Sequence, residues 1–68
     1  MKIIKSAERY GRPYRTNTVV TERGYIVEHD GARFFVQADE ISQDDTWQDI
    51  ERKYCYDEIC DDDPWTYA

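Results

Sequence analysis

The dipeptide Asp30-Gly31, set between two β-forming runs, is the feature that most limits what this chain can fold into. Asp and Gly both tolerate the positive φ of a type I′ turn, whose twist matches that of the strands it joins. Tyr25-Ile26-Val27-Glu28 supplies the strand before the turn, and Arg33-Phe34-Phe35-Val36-Gln37 the strand after it. A hairpin is therefore expected over roughly residues 24–37. Tyr25 and Val27 lie on one face and Ile26 on the other, and Phe34 and Val36 oppose Phe35 in the same way. Both faces carry apolar groups, and isolated hairpins are marginal, so each face needs a cover.

The flanking segments read as follows. Residues 2–7 read as a short strand, with a helical turn as the competitor, and Gly11 and Pro13 interrupt the pattern, leaving 9–15 as a loop or irregular edge. Thr18-Val19-Val20-Thr21 is a strand candidate, with Glu22-Arg23-Gly24 as the turn after it. A helix is expected from about 45 to 57, with Asp45 as N-cap and Gln48 at the third helical position. Trp47, Ile50 and Tyr54 draw one apolar stripe along it, and Asp49 and Lys53 make an acid-to-base pair one turn apart. Pro64 forbids easy continuation, and three acids suit a helix C-terminus poorly. The fold class expected is α+β: a small antiparallel β-meander of three to four strands with one packed C-terminal helix. Residues 1–68 make a single small domain, with 61–68 an acidic and aromatic tail that is either docked by its rings or loose.

Catalysis finds little support. A chain of 68 residues buries only about 60% of its unfolded surface, which leaves few residues for an enclosed active site. Six Tyr, two Phe and two Trp are the compensation, since each buried aromatic removes roughly 150–250 Å² from water. The single histidine, His29, precedes the turn and reads as solvent-facing surface; Ser6 and Ser42 sit in no nucleophile-elbow context. Cys55 and Cys60 are spaced for a zinc knuckle, but no second ligand pair exists, so two reduced thiols are expected, with Cys55 semi-buried beside Tyr54. Asp61-Asp62-Asp63 lacks the alternation, glycine and distal glutamate of a calcium loop. No enzyme, cofactor or metal is expected. With no apolar run longer than three residues, neither a membrane helix nor a secretory leader is expected, and the cytoplasm is the expected compartment.

Charge departs furthest from the average. Residues 1–34 hold seven bases and four acids, whereas residues 35–68 hold two bases and eleven acids, within a net charge of −6. The basic end interleaves Lys2, Lys5, Arg9, Arg12 and Arg15 with Tyr10 and Tyr14. The acidic end carries Asp39, Glu40, Asp44, Asp45, Asp49, Glu51, Asp57, Glu58, Asp61, Asp62 and Asp63, with Trp47, Tyr56, Trp65 and Tyr67 as aromatic anchors among them. Tyr54 also lies in this stretch. Duplex DNA presents about one charge per 1.7 Å of axis, and its binding proteins answer with Lys/Arg grooves. Carboxylates at comparable density on a rigid scaffold can occupy such a groove. The other expectation open for the acids is a solvated face that keeps a small protein soluble.

In size, acidity and lack of a catalytic motif the chain resembles the small phage-encoded inhibitors, the anti-CRISPR proteins in particular. The resemblance lies in general character, so no residue carries over from a family motif. It implies a cytoplasmic inhibitor that binds a Lys/Arg-rich groove of a host protein or nuclease complex and blocks DNA recognition or subunit assembly. Neither direct nucleic-acid binding nor a membrane is then expected. Separately, Asp61-Asp62-Asp63-Pro64-Trp65 is similar to the acidic, aromatic tip of bacterial single-stranded-DNA-binding proteins, departing from it in the Thr66-Tyr67-Ala68 that follow. Two further readings stand beside the inhibitor: a nucleic-acid-binding module using the basic N-terminal segment, and a regulatory module docking through Trp65 and Tyr67.

Overall fold

The computed structural model describes residues 1–12 and 17–68. Its strands are β1 (Lys2–Gly11), β2 (Val20–His29), β3 (Ala32–Gln37), β4 (Cys55–Glu58) and β5 (Trp65–Tyr67), with one helix, α1 (Trp47–Lys53), between β3 and β4 in the chain. All five described strands join one sheet in the order β4-β3-β2-β1-β5. Each pairing is antiparallel, so the chain meanders through four strands and then returns to the opposite edge. The sheet curls into a half-barrel.

This overturns the α+β class expected from the sequence: the described residues form an antiparallel β-sheet with one helix of seven residues. The hairpin forms as expected, with Asp30 at φ 52° and Gly31 at φ 78° between paired His29 and Ala32.

Three local differences account for the change of class. Glu22-Arg23-Gly24 is not a turn but the middle of β2, paired along its length with β1. A side chain at residue 24 would collide with the Val36 carbonyl oxygen and come within 3.0 Å of the Phe35 ring. Gly24 therefore serves close approach of β3, a use of glycine that composition does not distinguish from a turn. Secondly, β1 runs on through Arg9, Tyr10 and Gly11, because β2 pairs with these residues on one side and β5 on the other. Of the loop expected over 9–15, Pro13, Tyr14 and Arg15 lie outside the described residues.

Thirdly, the helix is short. Thr46, not Asp45, is its N-cap: Thr46 Oγ1 accepts from the Asp49 amide at 3.4 Å, and Asp49 Oδ2 accepts from the Thr46 amide at 3.0 Å. At the other end Tyr54 turns extended, with φ −131° and ψ 157°, and residues expected to be helical become β4. The outer edge of β3 supplies the reason. Val36 pairs with Tyr56 and Phe35 with Asp57, so a hydrogen-bonding edge is covered at the expense of about one helical turn. The Trp47, Ile50, Tyr54 stripe still faces inward, with Ile50 fully buried.

Both sheet faces are covered. On one, Val27, Val36, Ile41 and Ile50 form a cluster ringed by Ile3, Tyr25, Phe34, Ala38, Trp47 and Tyr54. On the other, Ala7, Ile26 and Phe35 meet Ile59 and Tyr67. A register shift between Ile3 and Lys5 lets β1 serve both: Ile3 pairs with Val27, while Lys5 pairs with Ile26. Rather than hanging loose, the tail is held by β5, and Glu8 and Ala68 exchange backbone hydrogen bonds at 2.8 and 3.3 Å.

Candidate interaction surface

Alternation along β1 sends Ala7 and Arg9 to the second cluster, so a guanidinium enters the apolar interior of the half-barrel. The Arg9 side chain is 5% exposed. Its Nε donates to Glu22 Oε1 at 2.8 Å and its Nη2 to Asp57 Oδ2 at 2.9 Å. Phe35 and Trp65 sandwich it, with ring centroids 4.4 and 4.1 Å from Cζ. Burial alone lowers the guanidinium pKa, but hydrogen bonds to Asp57 and Glu22 outweigh that and the net shift is upward. Among the described residues Nη1 is buried without an acceptor in hydrogen-bond geometry, although the Tyr67 hydroxyl, which donates to Asp63, lies beside the guanidinium.

The same cluster fixes the tail. Asp63 accepts from the Trp65 amide at 2.8 Å and from the Tyr67 hydroxyl at 2.9 Å, which starts β5 and places both rings over the interior. Burial, and then the Asp63 carboxylate, pushes the Tyr67 phenol up to about 12. Beside Arg9 opens a cleft of about 580 Å³ whose walls include Glu22, Asp57, Glu58, Asp62 and Trp65.

The eleven acids nominated by the sequence separate into two kinds. Four hold the fold together: Asp57 and Asp63 as above, Asp49 in the capping box and 2.6 Å from Arg52, and Asp45 accepting from the Ser42 amide at 3.2 Å and facing Lys53 at 3.8 Å. The expected Asp49–Lys53 pair is thus replaced by Asp49–Arg52 and Asp45–Lys53. The Thr46 amide, ahead of any cation, holds the Asp49 carboxyl below its ordinary range. Among the described residues the other seven side chains, Asp39, Glu40, Asp44, Glu51, Glu58, Asp61 and Asp62, make no ion pair or hydrogen bond, and all seven are exposed. Asp39, Glu40, Asp44 and Glu51 lie on the helix and the segment leading to it; Glu58, Asp61 and Asp62 lie on β4 and the crossing to β5.

The aromatic anchors separate in the same way. Trp65 and Tyr67 are half-buried and cover the Arg9 cluster. Tyr56 is exposed and meets Trp47 edge-on at 5.1 Å, and Trp47 packs against Phe34 at 4.6 Å. His29 is not free turn surface: its ring stacks on Trp47 with centroids 4.8 Å apart and planes 12° off parallel. Cys55 and Cys60 are free thiols, both exposed, so Cys55 is not the semi-buried residue expected. Partial desolvation, followed by Glu58, Asp62, Asp63 and Asp61, raises the Cys60 thiol above its ordinary value. No group of three or more His, Cys, Asp or Glu side chains among the described residues is arranged to hold a metal ion. No described helix is long and apolar enough to cross a membrane.

Sequence reasoning missed the structural roles of Arg9 and Glu22, which pair directly across β1 and β2. The available signal was the alternation Ala7-Arg9-Gly11, which places a charge on an inward face once β1 is recognised as long. Comparison with known protein families, curated proteins and solved structures finds no match for the chain.

Proposed function

We propose that this protein is a non-catalytic, cytoplasmic inhibitor that binds the Lys/Arg-rich nucleic-acid-recognition surface of a host nuclease or CRISPR-type complex. One observation carries the reading: both bases of residues 35–68 are paired with acids, while seven carboxylates of that half remain exposed and unpaired. Held on a sheet and a capped helix, they offer a basic groove what a phosphate backbone offers. Steering by such a field speeds encounter and makes affinity fall with salt. Tyr56 adds an exposed ring to the acidic side, where packing supplies affinity that exposed ion pairs lack.

The rival readings lose residues they need. Arg9, central to the basic N-terminal segment, is buried and neutralised, leaving Lys2, Lys5 and Arg12 as exposed cations among the described residues of β1 and its end. Trp65 and Tyr67 cover Arg9 and Phe35, so the C-terminal rings are occupied within the fold.

The test is competition. Immobilised protein is expected to retain Lys/Arg-rich DNA-binding proteins from bacterial lysate at low salt, and added duplex DNA should release them. Retention indifferent to duplex DNA, or binding of the duplex by the protein itself, contradicts the proposal.

A further inference from the structure

Arg9 presents an unmet demand at an acidic cleft. Its side chain is 5% exposed, Nε and Nη2 are satisfied by Glu22 and Asp57, and Nη1 is buried with no acceptor. An unpaired buried donor carries a desolvation cost that an incoming oxygen relieves. The cleft that Arg9 lines is otherwise strongly negative. Asp62 stands in its wall unpaired, and Asp57 engages Arg9 through Oδ2 alone, whereas Glu58 alternates to the opposite face of β4 with Phe34. A ligand suited to both features brings a cation for the carboxylates and a carbonyl oxygen for Nη1. A polypeptide segment containing arginine has that pair of groups, and its planar guanidinium forks across neighbouring carboxylates better than an ammonium does.

We propose that this cleft receives one arginine side chain of the partner protein, with the guanidinium between Asp62 and Asp57 and a main-chain carbonyl of the same segment accepting from Arg9 Nη1. Trp65 lines the same cleft and stacks on the guanidinium face at 4.1 Å, so its indole reports an occupant beside Arg9. This rests on the inhibitor reading for the basic nature of the partner, and it names where on the acidic surface the anchor falls.

The test titrates a blocked Gly-Arg-Gly peptide into the full chain by NMR, with a blocked Gly-Ala-Gly peptide as control. The arginine peptide should shift the Trp65 indole N–H and the Arg9 Nε–H resonances saturably, and the control should not. The variant Asp62→Asn should bind about tenfold more weakly, the order expected for losing a charge-assisted contact. The double variant Glu28→Gln/Asp30→Asn, whose carboxylates pair with Arg33 and His29 outside the acidic surface, should bind as the wild type does. Equal losses in the two variants, or shifts that leave Trp65 and Arg9 unmoved, overturn the proposal. Failure of the wider reading looks different: the peptide still occupies the cleft, yet the protein releases no DNA-binding partner to duplex DNA.

Discussion

Arg9 on β1 and Asp57 on β4 meet at 2.9 Å although 48 positions separate them in the chain. With β2 and β3 lying between their strands, the contact exists only because the sheet curls. Closure leaves Arg9 clamped by two carboxylates and two aromatic rings.

Replacing Arg9 by methionine should therefore cost stability and not merely a surface charge. Glu22 would keep a largely covered carboxylate without its cation, and Trp65 and Phe35 would lose the ion they enclose. Removing one partner of a buried pair costs roughly 3–5 kcal/mol, and the exposure of Asp57 puts the expected loss at about 3. Arg9→Lys should rescue little, because an ammonium neither forks nor stacks. Urea unfolding measures both, and a loss below about 1 kcal/mol for Arg9→Met would show that the cluster is incidental.

Gly24 makes a second test, since its two readings predict opposite outcomes. A turn glycine at the surface tolerates alanine with modest loss; here a methyl group meets the Val36 carbonyl oxygen and the Phe35 ring. Overpacking of this kind costs about 1–3 kcal/mol. Gly24→Ala should lower the urea midpoint accordingly, and an unchanged midpoint would return residues 22–24 to a turn.

Much of the fold was legible where the determinants are local. Asp30-Gly31 specifies its turn by backbone chemistry, and Trp47, Ile50 and Tyr54 mark the inward stripe by spacing. The residues Cys55–Glu58 were not legible as a strand, because what makes them one is the open edge of β3 and the distant Arg9. The acidic surface was visible as composition; its division into structural and unpaired carboxylates was not. Asp45, Asp49, Asp57 and Asp63 look no different in sequence from Asp44, Asp61 and Asp62. Only the positions of Ser42, Thr46, Arg9 and Tyr67 set them apart.

Alkaline titration should loosen the tail. The Tyr67 phenol is pushed up to about 12 in the folded protein, against an ordinary value of 10.0. Because the folded state holds this proton more tightly, its stabilising effect is complete below the ordinary value and is lost as pH rises through that interval. Unfolding midpoints followed from about pH 9 to 12 should fall in the wild type more than in Tyr67→Phe. Parallel curves would separate Tyr67 from the alkaline loss.

Cys60 should alkylate slowly at neutral pH despite its exposure, since partial desolvation and the surrounding carboxylates raise its thiol. Asp61→Asn/Asp62→Asn should speed its reaction with iodoacetamide, read by mass spectrometry of the peptide. A rate unaffected by that change would mean the carboxylates do not control the thiol.

The unpaired carboxylates, and not the four built into the fold, are expected to carry partner binding. The most direct measurement is the affinity of a DNA-displaceable partner for the wild type and for Glu58→Gln/Asp61→Asn/Asp62→Asn, each at low and high salt. Tight, salt-sensitive binding is expected of the wild type, and weak binding with a flattened salt dependence of the variant, which remains folded. Equal affinity and equal salt dependence in the two proteins would contradict this and leave these acids as a solvated surface.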